Sequence, residues 1–380
     1  MGLGYPDVTR IGLALALLPV AMLFISRRRT PSLAVSRVVE PSRLEAGQNA
    51  AVLATFTNVG RRRTSPYLAT ETLPRALGAS PRFLLPSLTV GADYTVRYPV
   101  HGHLRGSYQV GPLGLRHRDA LGLTYVAVRL SSTSEVIVLP RLFPVGGDAG
   151  LPASQGEEGD RPLMSALHGE DDASIRTYRH GDELRRVHWP ATANRGELMV
   201  RQEDRPARRR AVLIIDTRAE AYAGSHPEVF EYAVSAAASI AHHLVANGFT
   251  LHLVSPTSVR NGRAAASIDI NEAMDSLARL TLERKVGLEQ TMSGAHALTA
   301  GGCLSVAIVF AYDRTDIAKL AQVRASGHEG RALVLDPRSQ ALRPSEDGPA
   351  GPLLHSGWKV ATAGPDIPLS RSWGLLGGKR

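Results

Sequence analysis

The sequence predicts an α/β protein in which a doubly wound domain follows a small β-sandwich and an N-terminal transmembrane helix. Three observations lead to this prediction. An uncharged apolar run from Ile11 to Ser26 is followed at once by three arginines. Short alternating strands broken by Gly and Pro come next, and apolar strands then alternate with helical patterns. A chain of 380 residues has room for two domains and a membrane segment.

Residues 8–26 form the predicted membrane helix. The uncharged run alone would span roughly 24 Å at the helical rise, so residues 8 and 9 must extend it towards the roughly 30 Å of a bilayer core. A buried helix is the alternative. The arginines at 27–29 favour a cytoplasmic location for the residues that follow the helix. We therefore expect a single-pass protein of the cell membrane with cytoplasmic C-terminal domains.

The chain carries a net charge of +9, which indicates an anionic partner, either nucleic acid or a lipid surface. Arginine is spread along the whole chain, and its densest cluster lies at residues 205–210 without an aromatic platform or a known nucleic-acid module. For this cluster we expect a solvated face first and anionic lipid second, and for the chain we expect the membrane, and not nucleic acid, as a partner. The single cysteine, Cys303, excludes an internal disulfide and a multi-cysteine metal site.

Residues 33–145 are predicted to form the small β-sandwich, and residues 146–173 an acidic linker. The candidate strands of the sandwich lie at 50–57, 94–100, 108–110, 125–130 and 134–139.

Residues 174–365 are predicted to form the α/β domain with a mostly parallel sheet. Its strands are expected at 211–216, 250–255, 305–312, 331–335 and 358–362. Its helices are expected at 227–247, 270–280, 288–298 and 316–326. Residues 366–380 are expected to be a tail.

The densest specific chemistry lies where the α/β domain begins, in the pattern R-x-Y-x-x-G-D-x-x-R-x-V-H-W. Since arginine and tryptophan are favoured interface anchors, we interpret the pattern as an interaction surface. A clamp that holds this segment on the α/β domain is the alternative. Pro190 should keep the residue before it extended and end the local turn. The predicted interaction residues are Arg176, Tyr178, Asp182, Arg185, His188 and Trp189.

The pattern, which continues as L-x-V at 198–200, resembles the signature of the bacterial "domain of unknown function 58" (DUF58) family. The segment 105–123 resembles that family's R-G-x-Y-x-x-G-P motif. Family members usually begin with two membrane helices, and residues 8–26 resemble the second. The resemblance implies a membrane-anchored, non-enzymatic interaction or assembly protein. Its implied partners are a MoxR-type AAA+ ATPase, which would be served by an adaptor, and other membrane-associated proteins.

Two aspartates, Asp216 and Asp313, follow predicted strands whose carboxyl ends should meet at one edge of the sheet. This arrangement resembles a von Willebrand factor A domain, in which D-x-S-x-S and a later aspartate hold magnesium. Here Arg218 and Glu220 replace the two serines. A guanidinium would place positive charge at the metal position and could pair with either aspartate.

We therefore expect a degenerate site without metal or other cofactor, and no enzyme activity. The sequence also lacks the G-x-S-x-G and H-E-x-x-H motifs of common hydrolases. The alternative is a metal-dependent ligand-binding protein or hydrolase that uses Asp216, Glu220 and Asp313 to bind magnesium.

Overall fold

The structure is a computed structural model that describes residues 6–27, 31–118, 122, 125–146, 174–178, 187, 189–202, 209–284, 288–300, 302–310, 313–325, 328–336 and 341–377. It divides into two compact units. Unit 1 comprises residues 1–142 and 271–281, and unit 2 comprises residues 143–270 and 282–380. Most of the predicted acidic linker, residues 147–173, lies outside the described residues.

Unit 1 begins with helix α1, Pro6–Arg27, which contains the predicted segment 8–26. Its 22 residues span about 33 Å, because the helix extends beyond the uncharged run at both ends. Its exposed apolar side chains are those of Val8, Ile11, Leu13, Leu15, Leu17, Val20 and Phe24.

Within the described part of the chain, the helix that meets the length and hydropathy of a membrane span is not α1 but a helix of unit 2. This helix is Pro227–Ala246, and 72% of its apolar stretch is buried within the protein. That burial is typical of a core helix in a globular domain. Insertion of α1 into a membrane stays a prediction.

Three sheets share one apolar core in the rest of unit 1. Their orders are β1-β3-β6, β2-β10-β7 and β5-β4-β8-β9. The strands are β1 Leu33–Glu40, β2 Leu44–Glu45, β3 Asn49–Asn58, β4 Tyr67–Glu71, β5 Arg82–Leu85, β6 Asp93–His101, β7 Gly106–Val110, β8 Leu113–Arg118, β9 Tyr125–Leu130 and β10 Ser134–Leu139. The five predicted strands are present, whereas β1, β2, β4, β5 and β8 were not predicted.

The core of unit 1 also contains an ion pair. Arg37 donates from Nε and Nη2 to the carboxylate of Glu71 at 2.9 and 3.1 Å, and neither side chain is more than 1% exposed. Tyr98 donates its hydroxyl to the same carboxylate at 3.2 Å. Burial and the neighbouring negative charge raise the pKa of Tyr98, so the phenol stays a donor. The buried carboxylate of Glu71 is thus neutralised by Arg37 and hydrogen-bonded by both Arg37 and Tyr98.

Helix α5, Ile270–Ala278, was expected within the α/β domain, yet residues 271–281 belong to unit 1. Arg105 explains this placement, because its Nη2 donates to the carbonyl of Leu280 at 2.9 Å and its Nε to that of Leu277 at 3.3 Å. Carbonyls at a helix C-terminus lack partners within the helix, and an arginine can satisfy two of them. Arg279 adds an ion pair to Glu135 at 2.6 Å.

Unit 2 contains a five-stranded parallel sheet of order β14-β13-β15-β16-β17. The strands are β13 Arg210–Ile215, β14 Thr250–Val254, β15 Leu304–Phe310, β16 Gly330–Leu335 and β17 Lys359–Ala363. The helices are α3 Pro227–Ala246, α4 Pro256–Arg260, α6 Leu288–Thr299, α7 Arg314–Ala321, α8 Gly351–His355 and α9 Leu369–Gly377. The mixed α/β class is therefore confirmed.

Helices pack on both faces of this sheet. Ala332 and Val334 of β16 share an apolar cluster with Ala295 of α6 and Leu320 of α7. Successive strand residues point to opposite faces, so Arg331 faces the other side, where its guanidinium lies 5.0 Å from the ring centre of Trp373 in α9.

The expected tail at 366–380 is wrong for residues 369–377, which form α9. Leu369, Ser372, Trp373 and Leu376 are buried at the spacing of one helix face. The glycines of this segment obscure its helical apolar pattern in the sequence. In the structure, Trp373 is fully buried.

Candidate functional site

The candidate site lies at the carboxyl ends of β13 and β15, where the strand order changes direction. The chain passes from β13 to β14 on one side and then returns to β15, β16 and β17 on the other. A crevice for ligands forms at such a switch point in open α/β sheets. Asp216 follows β13 directly, and its N–H donates to the carbonyl of Ile308 in β15 at 3.0 Å. The sequence therefore places a buried carboxylate at the switch point.

Both oxygens of this carboxylate are occupied by Arg218. Its Nε donates to Asp216 Oδ1 and its Nη2 to Asp216 Oδ2, each at 2.9 Å. The backbone N–H of Arg218 also donates to Oδ1 at 3.1 Å. Asp216 is 1% exposed and Arg218 is 6% exposed. The pair is therefore a buried, bidentate ion pair between residues only two apart in the chain.

The third nitrogen of the guanidinium, Nη1, binds Asp316 in the first turn of α7. Asp313, which the sequence offered as the second partner, has a different role. It is the N-cap of α7 and accepts the N–H of Thr315 at 3.2 Å. The expected pairing with Asp216 is present, and the one with Asp313 is replaced by Asp316, one helical turn further along.

The ion network keeps Arg218 charged. Burial alone would lower the pKa of this guanidinium, but the hydrogen bonds and negative charges of Asp216 and Asp316 outweigh that effect and raise the pKa. Arg218 therefore acts as a permanent internal cation at the carboxyl end of β13.

A second carboxylate, Glu283, holds the loop after β13 in place. Its N–H donates to the carbonyl of Thr217 at 2.7 Å, and its carbonyl accepts the N–H of Ala219 at 2.8 Å. Its side chain binds Thr257 at 2.7 Å and Arg260 at 2.5 Å. Sequence reasoning missed Glu283, because it lies in a connecting segment far along the chain from Asp216.

An aromatic cluster supports the same loop from within. Tyr222 donates its hydroxyl to the carbonyl of Asp216 at 3.1 Å. Its ring centre lies 5.3 Å from that of Phe230 and 5.1 Å from that of Phe310. Backbone, carboxylate and aromatic contacts therefore all fix the position of the buried ion pair.

These residues do not fit a magnesium centre. The oxygens of Asp216 already accept three hydrogen bonds from Arg218, and a divalent cation at the carboxylate would lie against the guanidinium. Of the other two predicted ligands, Glu220 is exposed and Asp313 caps a helix. The described part of the chain contains no group of three acidic, His or Cys side chains arranged to hold a metal ion.

The predicted interaction surface is described in part. Strand β11, Ser174–Thr177, contains Arg176 and pairs antiparallel with β12, Met199–Gln202. Tyr178 extends this pairing, because its N–H donates to the carbonyl of Leu198 at 2.7 Å, and it is half-buried. Asp182, Arg185 and His188 lie outside the described residues.

Trp189 is the first residue of helix α2, Trp189–Arg195. The expectation that Pro190 keeps Trp189 extended is wrong, since proline is well tolerated in the first turn of a helix. The turn expected before it lies outside the described residues, except for residue 187. The indole of Trp189 is 68% exposed, and Leu198 is 41% exposed. An exposed tryptophan at a fixed position is a natural anchor for a partner.

Two arginines of the basic cluster at 205–210 fall within the described residues. Arg209 lies over the ring of Phe249, 5.8 Å from its centre, and Arg210 Nη2 donates to the carbonyl of Gly302 at 3.5 Å. Both therefore make contacts within unit 2. Arg205 and Arg208 lie outside the described residues.

Comparison with known proteins identifies a family for part of the chain. Residues 174–282 match the model described as "Protein of unknown function DUF58". "Uncharacterized protein YeaD" of Bacillus subtilis (strain 168) is 25% identical over 243 residues, which are 60% of this chain and 57% of that protein. The chain therefore spans little more than half the length of this relative. The resemblance predicted from the signature is confirmed.

Solved structures offer only weak likenesses. The alkylpurine DNA glycosylase AlkC of Pseudomonas fluorescens bound to abasic-site DNA is 16% identical with a TM-score of 0.19, over 35% of this chain and 41% of that chain. A beta-glucuronidase of Bacteroides uniformis is 12% identical with a TM-score of 0.18, over 80% of this chain and 36% of that chain. Likenesses at this level carry no argument about fold or function.

Proposed function

We propose that this chain, whose residues 174–282 match the DUF58 family model, is a membrane-anchored, non-enzymatic interaction or assembly protein that serves as an adaptor for a MoxR-type AAA+ ATPase. The observation that carries this proposal is the closed ion network at the switch point. Arg218 saturates the buried carboxylate that a metal-dependent binder or hydrolase would need free. Recognition of a partner would then depend on residues at the protein surface.

We also propose that unit 2 is a doubly wound von Willebrand A-like domain. The parallel order β14-β13-β15-β16-β17 and the helices on both faces support this assignment. Such a domain with an internal cation in place of a metal would present a fixed surface to its partner. ATP dependence would come from the ATPase, since the sequence carries no nucleotide-binding motif.

Trp189 is the residue on which we expect the partner to depend. It begins α2, with its indole mostly exposed, next to the strand pair β11–β12 that carries the family signature. Tryptophan contributes more to interfaces than its share of the surface suggests, because it buries a large rigid area. The other predicted interaction residues, Arg176, Tyr178, Asp182, Arg185 and His188, would surround it.

The anchor in this proposal is α1. Its length of about 33 Å exceeds the roughly 30 Å of a bilayer core, and its exposed side chains are mainly apolar. The arginines that follow favour the cytoplasmic side. Unit 2 and the part of unit 1 that follows α1 would then lie in the cytoplasm, where AAA+ ATPases have access to ATP.

Affinity purification of the full-length protein from detergent-solubilised native membranes, with and without ATP, tests the proposal. Mass spectrometry should identify an AAA+ ATPase whose recovery falls at least about tenfold in Trp189→Ala. Val90→Ala, which removes a 58% exposed side chain of unit 1, is the matched control and should retain the partner. The absence of any ATPase under both conditions would contradict the adaptor role.

A further inference from the structure

The outer face of the sheet β5-β4-β8-β9 in unit 1 combines arginines with exposed apolar side chains. The alternating residues of these strands that point inward are buried, among them Tyr67, Ala69, Leu113 and Leu115. The opposite set points to solvent. This outer face consists of Arg82 and Leu84 in β5, Leu68 and Thr70 in β4, Gly114, Arg116 and Arg118 in β8, and Tyr125, Ala127 and Arg129 in β9.

The strand register brings two leucines of the outer face together. Leu68 pairs directly with Leu84 across β4 and β5, and these side chains are 45% and 66% exposed. Tyr125 in β9 is 67% exposed and pairs with Arg118. Exposed apolar side chains that are rimmed by polar residues are typical of protein or membrane interaction sites.

The arginines flank these apolar side chains. Arg116 pairs with Leu68 on one side and with Ala127 on the other, while Arg82 and Arg129 occupy the two edge strands. Among the described outward positions of the four strands there is no acidic residue. Within the described part of the chain, none of the four arginines forms an ion pair. The face therefore has four positive charges that nothing in its own sheet neutralises.

We propose that this outer face lies on an anionic phospholipid surface. Guanidinium groups bind phosphate through paired hydrogen bonds, and each basic residue near a charged leaflet adds to the attraction. Tyrosine and leucine enter the boundary between headgroups and acyl chains. The inner strands β4 and β8 are paired on both sides, so the middle of the face can approach lipid without desolvating unpaired backbone groups.

The position of the face in unit 1 supports a lipid partner. Helix α1, the proposed membrane anchor, contacts β9 at one edge of the same sheet. Nucleic acid is less suited to this face, since a surface that binds single strands stacks bases on several aromatic rings, and among the described outward positions of these four strands Tyr125 is the one aromatic residue. The proposal rests on the membrane anchoring proposed above for the approach of the face to the bilayer.

A fluorescent reporter on the face tests the proposal in the full-length protein. Cys303 is buried and is replaced by alanine, and Ala127→Cys supplies one labelling position on the face, in the edge strand β9. The protein is reconstituted into bilayers of phosphatidylcholine alone or with one third phosphatidylglycerol, each containing brominated lipid as a quencher. We expect quenching of the label in the anionic bilayer and its loss in the neutral one.

Charge reversal distinguishes binding by the outer face from attraction of lipid to the overall positive charge of the protein. Arg116→Glu combined with Arg118→Glu should abolish the quenching in anionic bilayers. The matched control, Arg61→Glu with Arg62→Glu, makes the same change at exposed positions outside the sheet and should leave the quenching intact. Thermal unfolding of each variant verifies that it is folded.

Equal quenching in both bilayers, or none in either, would overturn the proposal, as would a label that responds to single-stranded nucleic acid in place of lipid. A protein that fails to stay with the bilayer overturns the anchoring by α1 instead. The response of the label to added anionic vesicles then still decides whether the face binds lipid.

Discussion

Arg218 and Asp216 form a buried fork-to-fork ion pair in which the arginine donates to both carboxylate oxygens at 2.9 Å. Only Thr217 separates the two residues in the chain, and both side chains are almost fully enclosed. The carboxylate at the switch point of the sheet is thus neutralised from within. Removing one partner of such a pair leaves the other charge buried without a counter-ion, which is strongly destabilising.

Arg218→Ala should therefore destabilise the protein by about 3–5 kcal/mol, since it leaves Asp216 buried without its cation. Denaturant unfolding followed by circular dichroism measures the change. Combining it with Asp216→Ala should cost less than the sum of the two single changes, because the double variant removes both charges. A single variant within about 0.5 kcal/mol of the unaltered protein would show that the pair is not formed in solution.

Magnesium binding is the second prediction. Titration calorimetry of the full-length protein should give no saturable heat with magnesium, because Arg218 occupies both oxygens of Asp216. Arg218→Ser removes the guanidinium and supplies a hydroxyl oxygen, so this variant should gain saturable binding that Asp216→Ala removes again. Magnesium binding to the unaltered protein, abolished by Asp216→Ala, would favour the metal-dependent alternative.

The parallel sheet of unit 2 was predictable from the sequence because its strands are buried on both faces. Such strands are continuous apolar runs, and the adjacent residues Val306 and Ala307 of β15, which point to opposite faces, are both fully buried. The strands of unit 1 expose one face and carry charges there, as β8 does with Arg116 and Arg118. Their apolar pattern is weaker, and strands such as β8 were therefore not predicted.

The details of the candidate site depend on contacts between residues far apart in the chain, and local sequence patterns do not predict such contacts. The sequence shows two aspartates, Asp313 and Asp316, at the start of α7, and either can reach a neighbouring arginine. The structure assigns Asp313 to the helix N-terminus, where it caps a backbone N–H, and Asp316 to Arg218. Glu283 reaches the same loop from a connecting segment, a tertiary contact that no local pattern indicates.

The acid side of the stability profile should depend on Glu283. Burial alone would raise the pKa of this carboxyl, but its bonds to Arg260 and Thr257 outweigh burial and lower the pKa below its ordinary value of 4.5. The ionised group therefore contributes stability above that value, and the contribution is lost as the pH falls through the lowered pKa.

Glu283→Gln should flatten the loss of stability below about pH 4.5 while reducing stability at neutral pH. Thermal unfolding between pH 3 and pH 7 is the measurement. Glu228→Gln is the control, because that residue is exposed, and it should leave the shape of the profile unchanged. Identical acid-side slopes for Glu283→Gln and the unaltered protein would contradict the prediction.

Trp189 should affect partner binding without affecting stability. Its indole is 68% exposed, so Trp189→Ala should change the free energy of unfolding by no more than about 0.5 kcal/mol. Arg185→Ala should behave in the same way if docking is its role. A loss of stability above about 2 kcal/mol in either variant would instead support a clamp that holds the signature on the α/β domain.

Trp373 distinguishes a packed C-terminal helix from a tail. The indole is fully buried in α9, with the guanidinium of Arg331 5.0 Å from its ring centre. Trp373→Ala should therefore cost about 3–5 kcal/mol through lost burial and a cavity. The neighbouring Gly374 has open space where a side chain would begin, so Gly374→Ala should stabilise the helix by about 0.5–1 kcal/mol. Denaturant unfolding of both variants should give opposite signs, whereas a tail would leave the two indistinguishable from the unaltered protein.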